Sequence, residues 1–144
     1  MTKATRIERD SMGEIDVPID ALYGAQTQRA VNNFAISRQP MPERFVRALL
    51  QQKAAAARAN IALEQLPADI GQAIDRAATQ LLQDPALMNH FPVEIFQTGS
   101  GTSSNMNANE VIATLATRLI GTGAANPLVV SPNDHVNAGQ SSND

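Results

Sequence analysis

The chain has 144 residues, 43% of them hydrophobic, which suffices for one domain burying about 70% of its unfolded surface. A net charge of −3 offers no attraction to nucleic acid or to an acidic membrane. The absence of cysteine excludes disulfides and thiolate metal sites. His90 and His135 lack metal-ligand spacing, so no metal is expected. No apolar run approaches the ~18 residues of a membrane span, and MTKATRIERD does not resemble a signal peptide. The expectation is a cytoplasmic, mainly helical chain with no membrane or nucleic-acid partner.

In chain order, Ile15 and Val17 alternate with Glu14 and Asp16, predicting a short strand or hairpin before Pro18. Asp20 is a candidate cap for a surface helix over Ala21 to Phe34, weakened by Gly24. Pro42 suits the first turn of the next helix, with Glu43 beside it at the positive end of the dipole. Phe45, Leu49, Ala56 and Leu63 keep helical spacing there, and Ala54 to Ala57 form a small-residue packing face. Pro67 opens a third helix with Ile70, Ile74, Ala77 and Leu81 on one face, ending near Asp84-Pro85. His90, Phe91, Pro92, Ile95 and Phe96 form a hydrophobic brace, in which His90 is a packed residue. A fourth helix, with Val111, Leu115 and Leu119 in register, is stopped by Gly121 and Gly123. Ala124 to Val130 reads as apolar and extended, and SPNDHVN (Ser131 to Asn137) as a turn. The fold class is all-α with a short hairpin or irregular opening segment.

Between the brace and the fourth helix lies TGSGTSSNMNANE (Thr98 to Glu110), which holds two glycines, two threonines, three serines and three asparagines. A glycine loop running into a helix start suits an anion, since the first N–H groups of a helix lack internal partners. The loop carries more hydroxyls than a helix cap needs, which favours a binding site. Nucleotide readings fit poorly: no lysine follows Lys53, as a phosphate loop would require, and no third glycine completes a dinucleotide fingerprint. Thr98 stands where a hydrolase elbow around Ser100 would need glycine. A carboxylate fits best, held by neutral hydroxyls and helix-end amides. Asn105, Asn107 and Asn109, at spacing two, face different ways on a helix, so some of them tie the loop to neighbouring backbone.

TGSGTSSNMNANEV (Thr98 to Val111) and PNDHVNAGQSSND (Pro132 to Asp144) resemble the class II fumarases of the fumarase/aspartase superfamily. RIERDSMGEIDVP (Arg6 to Pro18), YGAQTQRAVNNF (Tyr23 to Phe34) and HFPVEIFQTGSGT (His90 to Thr102) resemble the same family, in the same order. Ser100 and the SSND of Ser141 to Asp144 resemble fumarases more than aspartases. The resemblance implies reversible hydration of fumarate to L-malate by a homotetramer without metal or organic cofactor, each site drawing on three subunits. By motif match, Ser100, Gly101 and Thr102 would bind a substrate carboxylate, and Ser141, Ser142 and Asn143 would form a second binding stretch.

The resemblance also places the catalytic serine on a loop like GSSxMPxKxNP and the catalytic histidine in a THxQ-type segment, neither of which occurs here. The expectation is an N-terminal fumarase domain (1–144) cut where the central bundle begins. It should be inactive alone and should expose an apolar face to the remainder of its chain and to other subunits. No catalytic residue is assigned within it, and His135 is a turn residue. The family's accessory dicarboxylate site has a histidine before PND and a basic residue three places earlier. Ser131 and Leu128 stand there instead, with Pro132, Asn133 and Asp134 retained, so accessory binding should be weak or absent. Two other readings remain: a superfamily lyase with an amine leaving group, and a non-catalytic helical anion-binding module.

Overall fold

The computed structural model describes residues 4–121 and 128–143. The alternating start forms an antiparallel hairpin, β1 (Thr5–Asp10) with β2 (Gly13–Pro18), Thr5 opposite Pro18 and Asp10 opposite Gly13. Strand side chains alternate between faces, so Val17 is buried while Ile7 on the other face is exposed.

The helix expected over Ala21 to Phe34 is shorter: α1 spans Ala25–Asn33. Arg6 supplies the reason. Its guanidinium donates to the carbonyls of Pro18 (2.8 Å), Ala21 (2.8 Å) and Tyr23 (2.9 Å). With these carbonyls directed at a strand side chain, the backbone there forms a single turn, Ala21 N–H to Pro18 O at 3.0 Å, and the helix begins after Gly24. Nor is α1 simply a surface helix, since Ala25, Thr27 and Ala30 are buried. Arg29 fastens it to the hairpin by a two-pronged contact with Asp10, at 2.9 and 3.0 Å, and by a bond to Gly13 O at 3.0 Å.

α2 (Glu43–Ala62) starts as its Pro42-Glu43 signal predicts, with Pro42 as the cap rather than the first turn. Its buried stripe differs from the expected one. Val46, Leu50, Lys53, Ala54 and Ala57 face inward, whereas Phe45 and Leu63 are exposed and Leu49 and Ala56 half-buried. The inward face is displaced by one residue, about 100° around the helix. α3 (Ala68–Gln83) buries Ile70, Ile74, Ala77 and Leu81 as predicted and ends one residue before Asp84-Pro85. Small residues let α2 and α3 pack closely, with Ala77 and Ala78 fully buried.

A short 3-10 turn (Leu87–His90) and the buried Phe91 and Val93 carry the chain to the glycine loop. Ile95 and Phe96, expected in the brace, are exposed. α4 (Thr102–Gly121) follows and is the central helix, every residue from Ser104 to Ala113 being buried. It packs on α1, α3 and the last turn of the chain. Gly123 and the 124–127 part of the predicted extended stretch lie outside the described residues. The SPNDHVN turn is a single π-helical turn (Pro132–Val136), started by the Ser131 hydroxyl accepting from the Asp134 N–H at 3.1 Å. No helix among the described residues is long and apolar enough to cross a membrane.

Candidate carboxylate site

The glycine loop is held from beneath by two side chains. Glu94 accepts from the backbone N–H groups of Ile36, Ser37 and Arg38 at 2.9–3.2 Å, tying the connector before α2 to the approach to the loop. Burial opposes its charge, but those donors prevail and hold its carboxyl below the usual range. Gln97 then caps α4. Its Oε1 accepts from the Ser104 N–H at 2.8 Å, and its Nε2 donates to Ser104 Oγ at 2.7 Å and to Glu94 O at 3.2 Å.

Because Gln97 is the cap, the loop hydroxyls are released from that duty. Gly101 at φ +78° makes the turn into the helix, a left-handed conformation that disfavours side chains. Ser100 Oγ lies 3.0 Å from Thr102 Oγ1, and both are within an exposed stretch. The Asn105 N–H is taken by Gly101 O at 3.2 Å. The N–H groups of Thr102 and Ser103 meet no acceptor among the described residues.

The second predicted stretch returns to the same place. Thr102 Oγ1 donates to Asn143 Oδ1 at 2.5 Å, and the Asn143 N–H is held by Ser141 Oγ at 3.0 Å. Ser100, Gly101 and Asn143 line one cleft of about 370 Å³ with Thr98, Gly99, Ser104 and Asn105. Its opposite wall is apolar: Met41, Phe45, Leu49 and Ile95. On the displaced face of α2, Phe45 is exposed to the cleft, and Leu49 lines it while also packing against the core. Ser141 and Ser142 are exposed beside it, outside the lining. The lining contains no titratable side chain, so it can bind and polarise but cannot move a proton.

The asparagine series divides as its spacing requires. Asn107 donates to His90 O at 2.8 Å, tying α4 to the brace. Asn105 and Asn109, one turn apart, both donate to Asn137 Oδ1, at 3.1 and 3.2 Å. A third donor reaches that oxygen: Lys53 Nζ at 3.1 Å. Burial lowers the Lys53 amine to about 8. Motif reasoning missed Lys53 and Gln97. A lysine four residues before Ala57 on a stripe with Val46 and Leu50 was the available signal, legible only with the right helix phase.

Ser131, Pro132, Asn133 and Asp134 are not in this cleft. Pro132 and Asn133 border a separate one of about 610 Å³. There Glu110 is bonded to the N-terminus of α1, accepting from Thr27 N–H at 2.8 Å, Thr27 Oγ1 at 2.5 Å and Gln26 N–H at 3.2 Å. Burial pushes the Glu110 carboxyl above its usual range, against those donors. His135 Nδ1 accepts from the Ser131 N–H at 2.9 Å, a turn-holding bond. His90 lies 3.6 Å from Asp84 at Nε2, and burial holds its imidazole below the ordinary value. No cluster of His, Asp and Glu among the described residues could hold a metal ion.

The chain is a helical domain with a short hairpin, presenting a hydroxyl-rich helix start beside a mixed polar and apolar cleft. Residues 13–144 match the lyase family, and the chain belongs to it. It is 68% identical over 140 residues to fumarate hydratase class II 2 of Pseudomonas aeruginosa, covering 97% of this chain and 29% of that protein. It is 57% identical over 139 residues to fumarate hydratase class II of Xylella fastidiosa, covering 96% and 28%. Among solved structures it resembles recombinant class II fumarase from Schistosoma mansoni, with a TM-score of 0.91 and 42% identity over 98% of this chain and 30% of that one. The chain thus spans under a third of the length of these relatives.

Proposed function

We propose that this chain is the substrate-carboxylate-binding part of a class II fumarate hydratase, an enzyme that reversibly adds water to fumarate to give L-malate. The observation that carries this reading is the division of labour at the start of α4. Gln97 supplies the cap, so the Thr102 and Ser103 amides need no capping hydroxyl, and a carboxylate at the mouth of the cleft would take them together with Ser100 and Thr102, replacing the Thr102–Asn143 bond. Fumarate is a dianion, and hydration through a carbanion would load further charge onto one carboxylate. Donors already fixed around that carboxylate stabilise the developing charge without reorganising. Asn143 lines the cleft, and Ser141 and Ser142, exposed beside it, complete the second binding stretch.

The groups that move protons lie outside the cleft, in the remainder of the protein and in other subunits of a homotetramer. Phe45, Ile95 and Phe96 are exposed apolar side chains that such a remainder and other subunits would cover. The setting is the cytoplasm and the reaction that of the tricarboxylic acid cycle, with no cofactor. Accessory dicarboxylate binding is weak or absent. Ser131 Oγ donates to the Asp134 carboxylate at 3.1 Å, and Leu128 brings no charge.

Loss of fumarate's ultraviolet absorbance tests the assignment. The protein carrying this chain at full length should hydrate fumarate, whereas the 144-residue chain alone should not. Turnover of aspartate in place of malate by the full-length protein would overturn the fumarase reading in favour of an ammonia-lyase.

A further inference from the structure

The unexplained group beside the cleft is a buried charge. Lys53 is 1% exposed, and no Asp or Glu among the described residues pairs with it. An ammonium taken out of water without a counter-charge is unfavourable, so its presence calls for a task. Nζ donates to Gln140 Oε1 at 2.8 Å and to Asn137 Oδ1 at 3.1 Å. These two acceptors bracket the turn that leads directly into Ser141, Ser142 and Asn143. The turn is internally closed by Asn137 Nδ2 donating to Gln140 O at 3.0 Å. A second α2 side chain, Asn60, donates to Ala138 O at 2.9 Å.

We propose that Lys53 is the positioning residue of the cleft: its ammonium draws the Asn137–Gln140 turn onto α2 and so sets the Ser141–Asn143 stretch opposite Ser100 and Thr102. An ammonium suits the task because its bonds are charge-assisted and it extends from a rigid helix. Asn137 Oδ1 also takes Asn105 and Asn109 of α4, so one oxygen references both walls of the cleft to each other. The carboxylate reading enters only in what the positioned stretch binds; the positioning belongs to the unliganded chain.

The test uses the isotope-labelled 144-residue chain and three variants: Lys53→Met, Lys53→Arg and Gln140→Ala. Lys53→Met should keep the helical circular dichroism and the α3 resonances. The amide signals of Ser141–Asn143 should move to random-coil positions, exchange at least about tenfold faster, and lose the Thr102–Asn143 proximity signal. Lys53→Arg, which keeps charge and donors, should restore them. Gln140→Ala cuts the 2.8 Å contact from the turn side and should release the same stretch, even where Lys53→Met fails to fold. Unchanged loop signals in a folded Lys53→Met or Gln140→Ala chain, or no rescue by a folded Lys53→Arg, would overturn the proposal. Fumarate is added separately. A wild-type chain whose Ser100–Thr102 signals ignore fumarate, while the variants still release the loop, sinks the carboxylate reading alone. Unchanged fumarate affinity in a loop-released variant overturns the positioning role.

Discussion

Thr102 and Asn143 stand 41 positions apart, yet the threonine hydroxyl donates to the asparagine oxygen at 2.5 Å, joining the first residue of α4 to the last described loop. That bond closes one side of the cleft, and removing it by Thr102→Val should separate binding from folding. The expected outcome is loss of fumarate-induced shifts at Ser100 and Gly101, with stability lowered by no more than about 1 kcal/mol, since Thr102 is half-buried and loses one hydrogen bond.

Gln97→Ala should give the opposite pattern. The cap of α4 rests on its side chain, so the variant should lose about 1 kcal/mol of stability in urea denaturation. Ser100→Ala should lose almost none, because Ser100 caps nothing.

Stability should rise as pH passes from 8 toward 10.5, and Lys53 is the cause. Its folded amine titrates near 8 against 10.5 when exposed, so across that window the unfolded chain binds more protons than the folded one. Folding is then favoured by raising pH, by at most about 3 kcal/mol. The difference between wild type and Lys53→Met, measured by denaturation at both ends of the window, isolates this contribution.

Gly24→Ala should damage the junction of α1 and α4. A methyl group there would lie 2.5 Å from Glu110 Oε2 and 3.2 Å from its Cδ, forcing the carboxylate off the N–H groups of Gln26 and Thr27. Overpacking of this kind costs about 1–3 kcal/mol. The double variant with Glu110→Ala should cost less than the sum of the single ones, which thermal denaturation of all four chains reads directly.

Glu110 makes a second pH claim of opposite sign. Its carboxyl is raised by burial, so between the usual carboxylate value and the raised one the folded chain holds more protons than the unfolded chain. Stability from this group falls as pH rises through that window. Thr27→Val removes the hydroxyl bond that opposes the shift, and should move the Glu110 carboxyl resonance to titrate at still higher pH.

Local chemistry made much of this legible in the sequence. The α3 stripe of Ile70, Ile74, Ala77 and Leu81, its stop before Asp84-Pro85, the hairpin and the glycine-to-helix loop follow from periodicity, proline and glycine acting within a few residues. The motifs marked Ser100, Gly101, Thr102 and Asn143 one by one. Where the sequence misled, a distant partner had intervened. Arg6 takes the carbonyls that would have begun α1 early. The face α2 buries is that of Val46, Leu50, Ala54 and Ala57, one residue round from the expected stripe, and it carries Lys53 inside. Gln97, which no motif marked, reaches across seven positions to cap α4.

By itself, then, the sequence determined which segments are helical, where they stop, and that a hydroxyl-rich loop opens the last helix, because those outcomes depend on neighbours along the chain. Only the tertiary structure decided that residues 100 and 143 share one cleft and that Lys53 anchors the turn between them. Hydrogen bonds spanning 84 and 87 positions, from Lys53 to Asn137 and Gln140, arise from the chain's return onto α2, and no local pattern encodes that distance.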